Sequence, residues 1–257
     1  ATHYGVRLAA ADVLQKAHSD AALKALLASK DQPDARVRNA VVKAVGGYFE
    51  VSARDALLAF AADKNPGIAA TALRALGPYQ TDAVRAVLLK AIQTPSFRER
   101  LAEAALAAIR AQDDPALAVP LILALRPRAP QLPSASLALG LETVGTLSRN
   151  ELNKDETREY LLSYLTAPKE SLRVAAINGL GNLEDPRAIS ALETFSNASA
   201  FRAEKDPAQK ALEKIRAARR TSDELKGLRD EVMSLQDARK ELRQDLEKLR
   251  KQVEAKP

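Results

Sequence analysis

The residues that could do chemistry are few, and their spacing argues against most of it. His3 and His18 are the only histidines, and there is no cysteine. A metal site needs ligands that one helix face or one tight loop can aim at a common point, as the paired histidines of HExxH do. His3 and His18 are too far apart in sequence for that, and no HExxH occurs, so no metal site is expected. The run His18-Ser19-Asp20 holds the residue types of a nucleophilic triad. Three adjacent residues cannot converge on one atom, however, and the run reads as a loop ahead of a helix. No GxGxxG and no phosphate-loop pattern is present. Glu151, Asp155 and Glu156 form an acidic group at a helix start, where negative charge suits the helix dipole. The chain therefore reads as non-catalytic and without a cofactor of its own.

The formal charge of +6 raises the question of nucleic acid. Residues 207–257 hold 14 Lys or Arg against 10 Asp or Glu, which leaves the other residues nearly balanced. The sharpest basic cluster is Lys214, Arg216, Arg219 and Arg220. A basic stretch just ahead of a leucine zipper resembles a bZIP protein, but the Asn-plus-Arg pattern of a basic region is missing. Thr221-Ser222-Asp223-Glu224 reads as a capping box, which predicts a helix restart where a bZIP helix would run on. These charges read as a solvated helix face. No apolar run approaches the ~20 residues that span a bilayer, so a soluble chain is expected, and the lack of cysteine gives no clue to compartment.

What these residues sit on is a repeat. Pro33 to Tyr48, PDARVRNAVVKAVGGY, is a proline turn, an amphipathic helix and a glycine stop. Copies lie 31 residues away on each side, at GVRLAAADVL (Gly5 to Leu14) and GIAATALRALGPY (Gly67 to Tyr79). Equivalent positions along the chain are Leu14, Val45, Leu76, Ile109, Val144, Leu180 and Ile215, spaced 31, 31, 33, 35, 36 and 35. Three residues earlier the column is apolar throughout: Ala11, Val42, Leu73, Leu106, Leu141, Ile177 and Leu212. One residue before that it reads Ala10, Val41, Ala72, Ala105, Gly140, Ala176 and Ala211, small enough for neighbouring helices to approach closely. Such a period predicts stacked helical hairpins. A composition rich in Ala and Leu with 4% aromatics and no Trp fits packed helices better than a sheet.

Between these second helices lie first helices, expected at residues 21–29, 53–62, 82–92, 115–125, 155–165 and 186–195. Ser52 and Thr81 can cap, and Pro115 and Pro186 suit a first turn. Gly46, Gly77 and Gly181 are expected to end second helices. Pro120 falls inside a first helix and should cost it a hydrogen bond. The proline-rich run Arg126 to Pro133 reads as a lengthened turn. Tyr48 and Tyr79, at equivalent helix ends, are expected to pack the turns.

The tail departs from this pattern. Leu225, Leu228, Val232, Leu235, Arg239, Leu242, Leu246, Leu249 and Val253 alternate at spacings of three and four, a heptad with leucine at every d position. In a parallel pair Glu224 would meet Arg229 and Asp245 would meet Arg250, whereas Arg239 at an a position would face its own copy. Parallel self-association is the leading expectation; antiparallel pairing or another protein's helix are the alternatives. The boundary between repeat domain and tail is placed between 220 and 221.

The motifs PDARVRNAVVKAVG, GIAATALRALG and ESLRVAAINGLG (Glu170 to Gly181) resemble HEAT repeats over residues 1 to about 219. The resemblance implies an all-α, HEAT-like α-solenoid of about six hairpins plus an extra first helix, followed by a long carboxy-terminal coiled-coil helix. VPLILAL (Val119 to Leu125) is similar to the kinked first helix of HEAT hairpins, which accommodates Pro120. Arg7, Arg38 and Arg173, with Asp34 one turn before Arg38, resemble the Asp/Arg ladder that links HEAT hairpins. HEAT-like DNA glycosylases use aromatic residues in a basic cleft, and the ten aromatics here are spread along the register, so nucleic acid is not the expected partner. HYGVRLAAADVL (His3 to Leu14) followed by RVRNAVVKAVGGY is similar to the carboxy-terminal helical region of bacterial zinc aminopeptidases of the aminopeptidase N family. That likeness implies a preceding domain carrying the zinc, on which the helices would pack to help enclose the substrate chamber. The first copy begins so close to Ala1 that a partner helix upstream is expected. The other expectation is a free-standing scaffold that binds a protein and dimerises through its tail.

Overall fold

The computed structural model describes residues 3–197 and 202–254 of the chain. The described residues form helices α1 (Tyr4–Ala17), α2 (Asp20–Ala28), α3 (Ala35–Val45), α4 (Val51–Phe60), α5 (Pro66–Ala75), α6 (Asp82–Gln93), α7 (Arg100–Gln112), α8 (Ala118–Leu125), α9 (Ser134–Leu147), α10 (Asp155–Ser163), α11 (Glu170–Leu183), α12 (Ile189–Asn197) and α13 (Arg202–Glu254), with no strand among them. After the single α1, the chain pairs α2 with α3, α4 with α5, and so on to α12 with the start of α13. This is the expected α-solenoid of six hairpins plus one helix.

Each odd-numbered helix packs against the next odd-numbered one, and this layer carries the repeat's register. Val45, Leu76, Ile109, Val144, Leu180 and Ile215 are fully buried, as are Val42, Leu106, Leu141 and Ile177. Each hairpin hides its apolar stripe only by covering its neighbour's, so the core is a continuous ribbon along the array. The even-numbered helices form the second layer. Their starts are set by local chemistry: the Ser19 hydroxyl accepts from the Ala22 amide at 3.2 Å, and Thr81 does the same for Val84 at 3.5 Å. Ser52 does not cap; α4 starts a residue earlier, behind Glu50, without a side-chain cap.

Several local expectations are corrected. Pro120 is not in a helix interior. A 3-10 turn over Pro115–Leu117 precedes α8, which places Pro120 in the first turn, where a backbone N–H has no intrahelical acceptor to lose. Gly181 does not stop α11, which runs on to Leu183. Helices α1, α7 and α11 end instead in left-handed residues that are not glycine: His18, Asp113 and Glu184. Gly46 does end α3 as its C-cap and Gly77 follows the C-cap of α5, as expected; Gly46 and Gly181 also serve packing. A Cβ on Gly46 would fall 2.7 Å from the Ala75 Cβ, and one on Gly181 would fall 2.8 Å from the Ala211 Cβ.

The largest difference lies at Thr221 to Glu224. The expected restart is absent, and α13 passes through this run as one helix of 53 residues. A capping box acts only where the chain leaves the helix. Here the Thr221 hydroxyl donates back to the Ala217 carbonyl at 3.2 Å, one turn earlier, so it does not cap forward. Pro207, the one proline within α13, lies in its second turn.

Candidate protein-interaction surface

The triad-like run is accounted for locally. Ser19 caps α2, Asp20 opens it, and the His18 ring lies 4.8 Å from the Tyr48 ring. His3 caps α1 through Nδ1, which accepts from the Gly5 amide at 3.2 Å. Asp155 is held by Arg158 at 3.0 Å and Arg187 at 2.6 Å. Among the described residues no three His, Cys, Asp or Glu side chains lie together as metal ligands would.

The ladder arginines link successive hairpins, with partners other than those expected. Arg7 donates to the Gln32 side chain at 2.7 Å. Arg38 donates to Asp63 at 2.8 Å and to the Gln32 carbonyl at 2.8 Å. Arg173 donates to Glu204 at 2.7 Å and to the Ala167 carbonyl at 2.9 Å. Asp34 does not pair with the Arg38 side chain. It caps α3 through the Arg36 amide and holds the Arg36 guanidinium at 2.8 Å; that contact lowers its carboxyl to about 2. The Arg38–Asp63 pair is more than three-quarters buried on both sides. Burial pushes the Asp63 carboxyl up, but the Arg38 and backbone hydrogen bonds outweigh it and hold it below the usual range.

A second ladder runs through the first helices. Arg85 bridges Asp82 on its own helix at 2.7 Å and Asp114 of the next hairpin at 2.6 Å. Arg158 repeats this with Asp155 at 3.0 Å and Asp185 at 2.8 Å. Asp114 and Asp185 also cap their own turns, accepting from Ala116 and Arg187 amides. The signal was present in the sequence as D-x-x-R at one first helix and Asp-Pro at the next. Asp185 is almost wholly buried; burial raises its carboxyl, and hydrogen bonds from Arg187 and Arg158 bring it below the ordinary range.

Tyr48 and Tyr79 form a third link. The Tyr48 hydroxyl donates to the Leu14 carbonyl at 2.6 Å, and the Tyr79 hydroxyl donates to the Tyr48 carbonyl at 2.6 Å. Gln112, at the same register, continues the chain by donating to the Tyr79 carbonyl at 2.8 Å. These positions hold the turns together, as expected, by hydrogen bonds as well as packing.

With the ladders assigned to structure, the polar face of the second helices is what remains open. Across α3, α5 and α7 it forms a cleft of about 580 Å³ lined by Arg36, Asn39, Thr71, Arg74, Arg100 and Glu103 among others. A second cleft of about 260 Å³ across α7, α9, α11 and α13 is lined by Arg110, Glu142, Asn178, Asn182, Lys210 and Lys214. Each set contains more cations than anions. The basic cluster at the end of the body is partly paired: Lys214 donates to Asn182 at 2.8 Å and Arg216 to Glu193 at 3.0 Å. An unbroken α13 removes one objection to the bZIP likeness. It adds another, because Ala211, Leu212 and Ile215 bury the flank of this stretch against the body, so the stretch is not a free helix.

The tail residues lie apart from these clefts. Leu225, Leu228, Val232, Leu235, Leu242 and Leu246 are each more than half exposed, and Arg239 is exposed among them. The side chains of Leu249 and Val253 lie outside the described residues. No described helix is long and apolar enough to cross a membrane.

Residues 29–110 match a family of HEAT repeats. No curated protein matches the chain. Among solved structures, a designed armadillo repeat protein aligns over 75% of this chain and 99% of its own, at 14% identity and TM-score 0.50. The complex of CpcE and CpcF of phycocyanin lyase from Nostoc sp. aligns over 74% and 86%, at 21% identity and TM-score 0.41. Human deoxyhypusine hydroxylase aligns over 80% and 88%, at 17% identity and TM-score 0.38. The armadillo match and the HEAT match agree with the hairpin register, and the chain is an α-solenoid of the HEAT/armadillo kind.

Proposed function

We propose that the chain is a non-catalytic scaffold that binds an extended, acid-bearing segment of another protein along the face of its second helices. The observation that carries this is the pair of cation-rich clefts on that face, each crossing at least three helices. Close contacts such as Gly46 with Ala75 and Gly181 with Ala211 draw the second helices together. Second helices that lie side by side in this way let a ligand on their face meet several repeats at once. Carboxylates on a ligand would find Arg100 in one cleft, beside Arg36 and Arg74 that already pair with Asp34 and Glu103, and Lys210 and Lys214 in the other, beside Arg110 that pairs with Glu142. HEAT character alone supports protein binding at large; the choice of an acidic segment rests on these side chains.

The resemblance of residues 3–14 and 36–48 to an aminopeptidase N helical region gains no support from the HEAT match, which covers only the second of these stretches and is to HEAT repeats in general. The scaffold reading is therefore preferred to that of a domain packed on a zinc peptidase.

Fluorescent peptides of equal length carrying mainly Asp and Glu, mainly Lys and Arg, or neutral residues should separate the possibilities. The acidic set is expected to bind, to weaken at least tenfold in the Arg74→Glu, Arg100→Glu double variant, and to be unaffected by Leu123→Glu on the first-helix layer. Equal binding of the basic set, or binding untouched by the double variant, would rule the reading out.

A further inference from the structure

The apolar stripe on α13 is covered by nothing among the described residues. It persists over four heptads, too long to be an accident of composition. Its flanks identify the occupant. With Leu225 at a, the e positions are Arg229, Gln236, Arg243 and Arg250, and the g positions are Glu224, Glu231, Ala238, Asp245 and Gln252. Every charged e is basic and every charged g is acidic. In a parallel pair each g faces the other helix's e five residues on, so Glu224 meets the partner's Arg229 and Asp245 meets the partner's Arg250. Glu231 and Arg243 meet the uncharged Gln236 and Ala238. In an antiparallel pair e faces e and g faces g, which sets Arg against Arg and acid against acid.

The placement of the stripe agrees. At about 100° per residue, its mean direction lies roughly 140° around α13 from Ala208, Ala211, Leu212 and Ile215, which pack on the body. The helix has no break between the two segments. Two parallel tails joined along the stripe would therefore carry their solenoids on outward flanks, clear of each other.

We propose that residues 225–253 of α13 pair in parallel and in register with the same segment of a second copy. Arg239 meets its counterpart at an a position. Its long stem folds outward along the helix to keep the guanidinium in water, and a single polar residue in the seam favours two strands over higher numbers.

The chain has no cysteine, which makes one introduced thiol an unambiguous probe. Sedimentation of the full chain is expected to give twice 27.7 kDa. Leu235→Glu with Leu242→Glu, both at exposed sites, should give a single-chain mass with unchanged helicity. Leu228→Cys under mild oxidation should give a covalent dimer, because d positions face each other only in a parallel, in-register pair. A single-chain mass for the full protein overturns the proposal, including the case where its tail is captured by a different helix. So does a dimer that survives the Glu substitutions, or one that Leu228→Cys fails to cross-link.

Discussion

At the scale of residues, the chain's charged groups mostly tie one hairpin to the next. Asp185 shows how much a single carboxylate does: it caps a turn, takes Arg158 from the previous hairpin, and takes Arg187 from its own. Asp185→Ala should cost about 3 kcal/mol, because it leaves the mostly buried Arg158 short of a partner and removes a cap. The pH dependence has a definite sign. Asp34, Asp63, Asp113, Asp155 and Asp185 all have native carboxyls held below the ordinary range. Their contribution is complete above the unfolded carboxylate value of about 4 and disappears as pH falls through the lower native values. Urea midpoints should therefore be flat from about pH 7 to 5 and drop below about pH 4, with a shallower drop in Asp185→Ala. A midpoint that already falls between neutral pH and 5 would contradict this assignment. The ladder arginines were legible because they recur at one register. Their acceptors were not, since Asp63 and Glu204 are neighbours only once hairpins stack.

At the scale of elements, the same residue type serves opposite ends. Gly145 and Gly179 let α9 and α11 touch: a Cβ at Gly145 would fall 2.9 Å from the Gly179 Cα. A Cβ added to Gly227, in the tail, would meet nothing within 4 Å. Gly145→Ala should lower stability by about 2 kcal/mol or more, despite a helix-propensity gain of about 1 kcal/mol. Gly227→Ala should raise tail helicity with no such loss. Thermal melts by circular dichroism compare the two, and equal responses would show that close approach is not what fixes Gly145. Apolar spacing wrote the second helices into the sequence, and Asp, Asn or Thr ahead of Pro or an apolar run wrote many of the starts. What stayed hidden was part of the termination. Gly46 and Gly77 do mark the ends of α3 and α5, but Gly181 looks like a stop signal and lies within α11 as a contact residue, and Thr221 to Glu224 looks like a start yet lies within α13. In these last two cases a tertiary or longer-range helical preference overrides a local signal that is identical in print.

At the scale of the whole molecule, stability is distributed between neighbours, with no central core. Ile109, fully buried in α7, lies near the middle of the array. Ile109→Ala should cost about 3 kcal/mol, and the loss should be local. Hydrogen exchange should rise most in α5 to α9 and least in α1 and the body-packed part of α13; uniform acceleration would show a single cooperative unit instead. Between the last hairpin and the tail there is no hinge, because both are α13. A flexible tether would let two binding faces search a sphere of positions. A rod of ~80 Å, at ~1.5 Å per residue, does not. Paired tails of this kind would hold two ligand-binding faces at one separation and one mutual angle, so avidity would be gained only by targets whose own repeat matches that gauge.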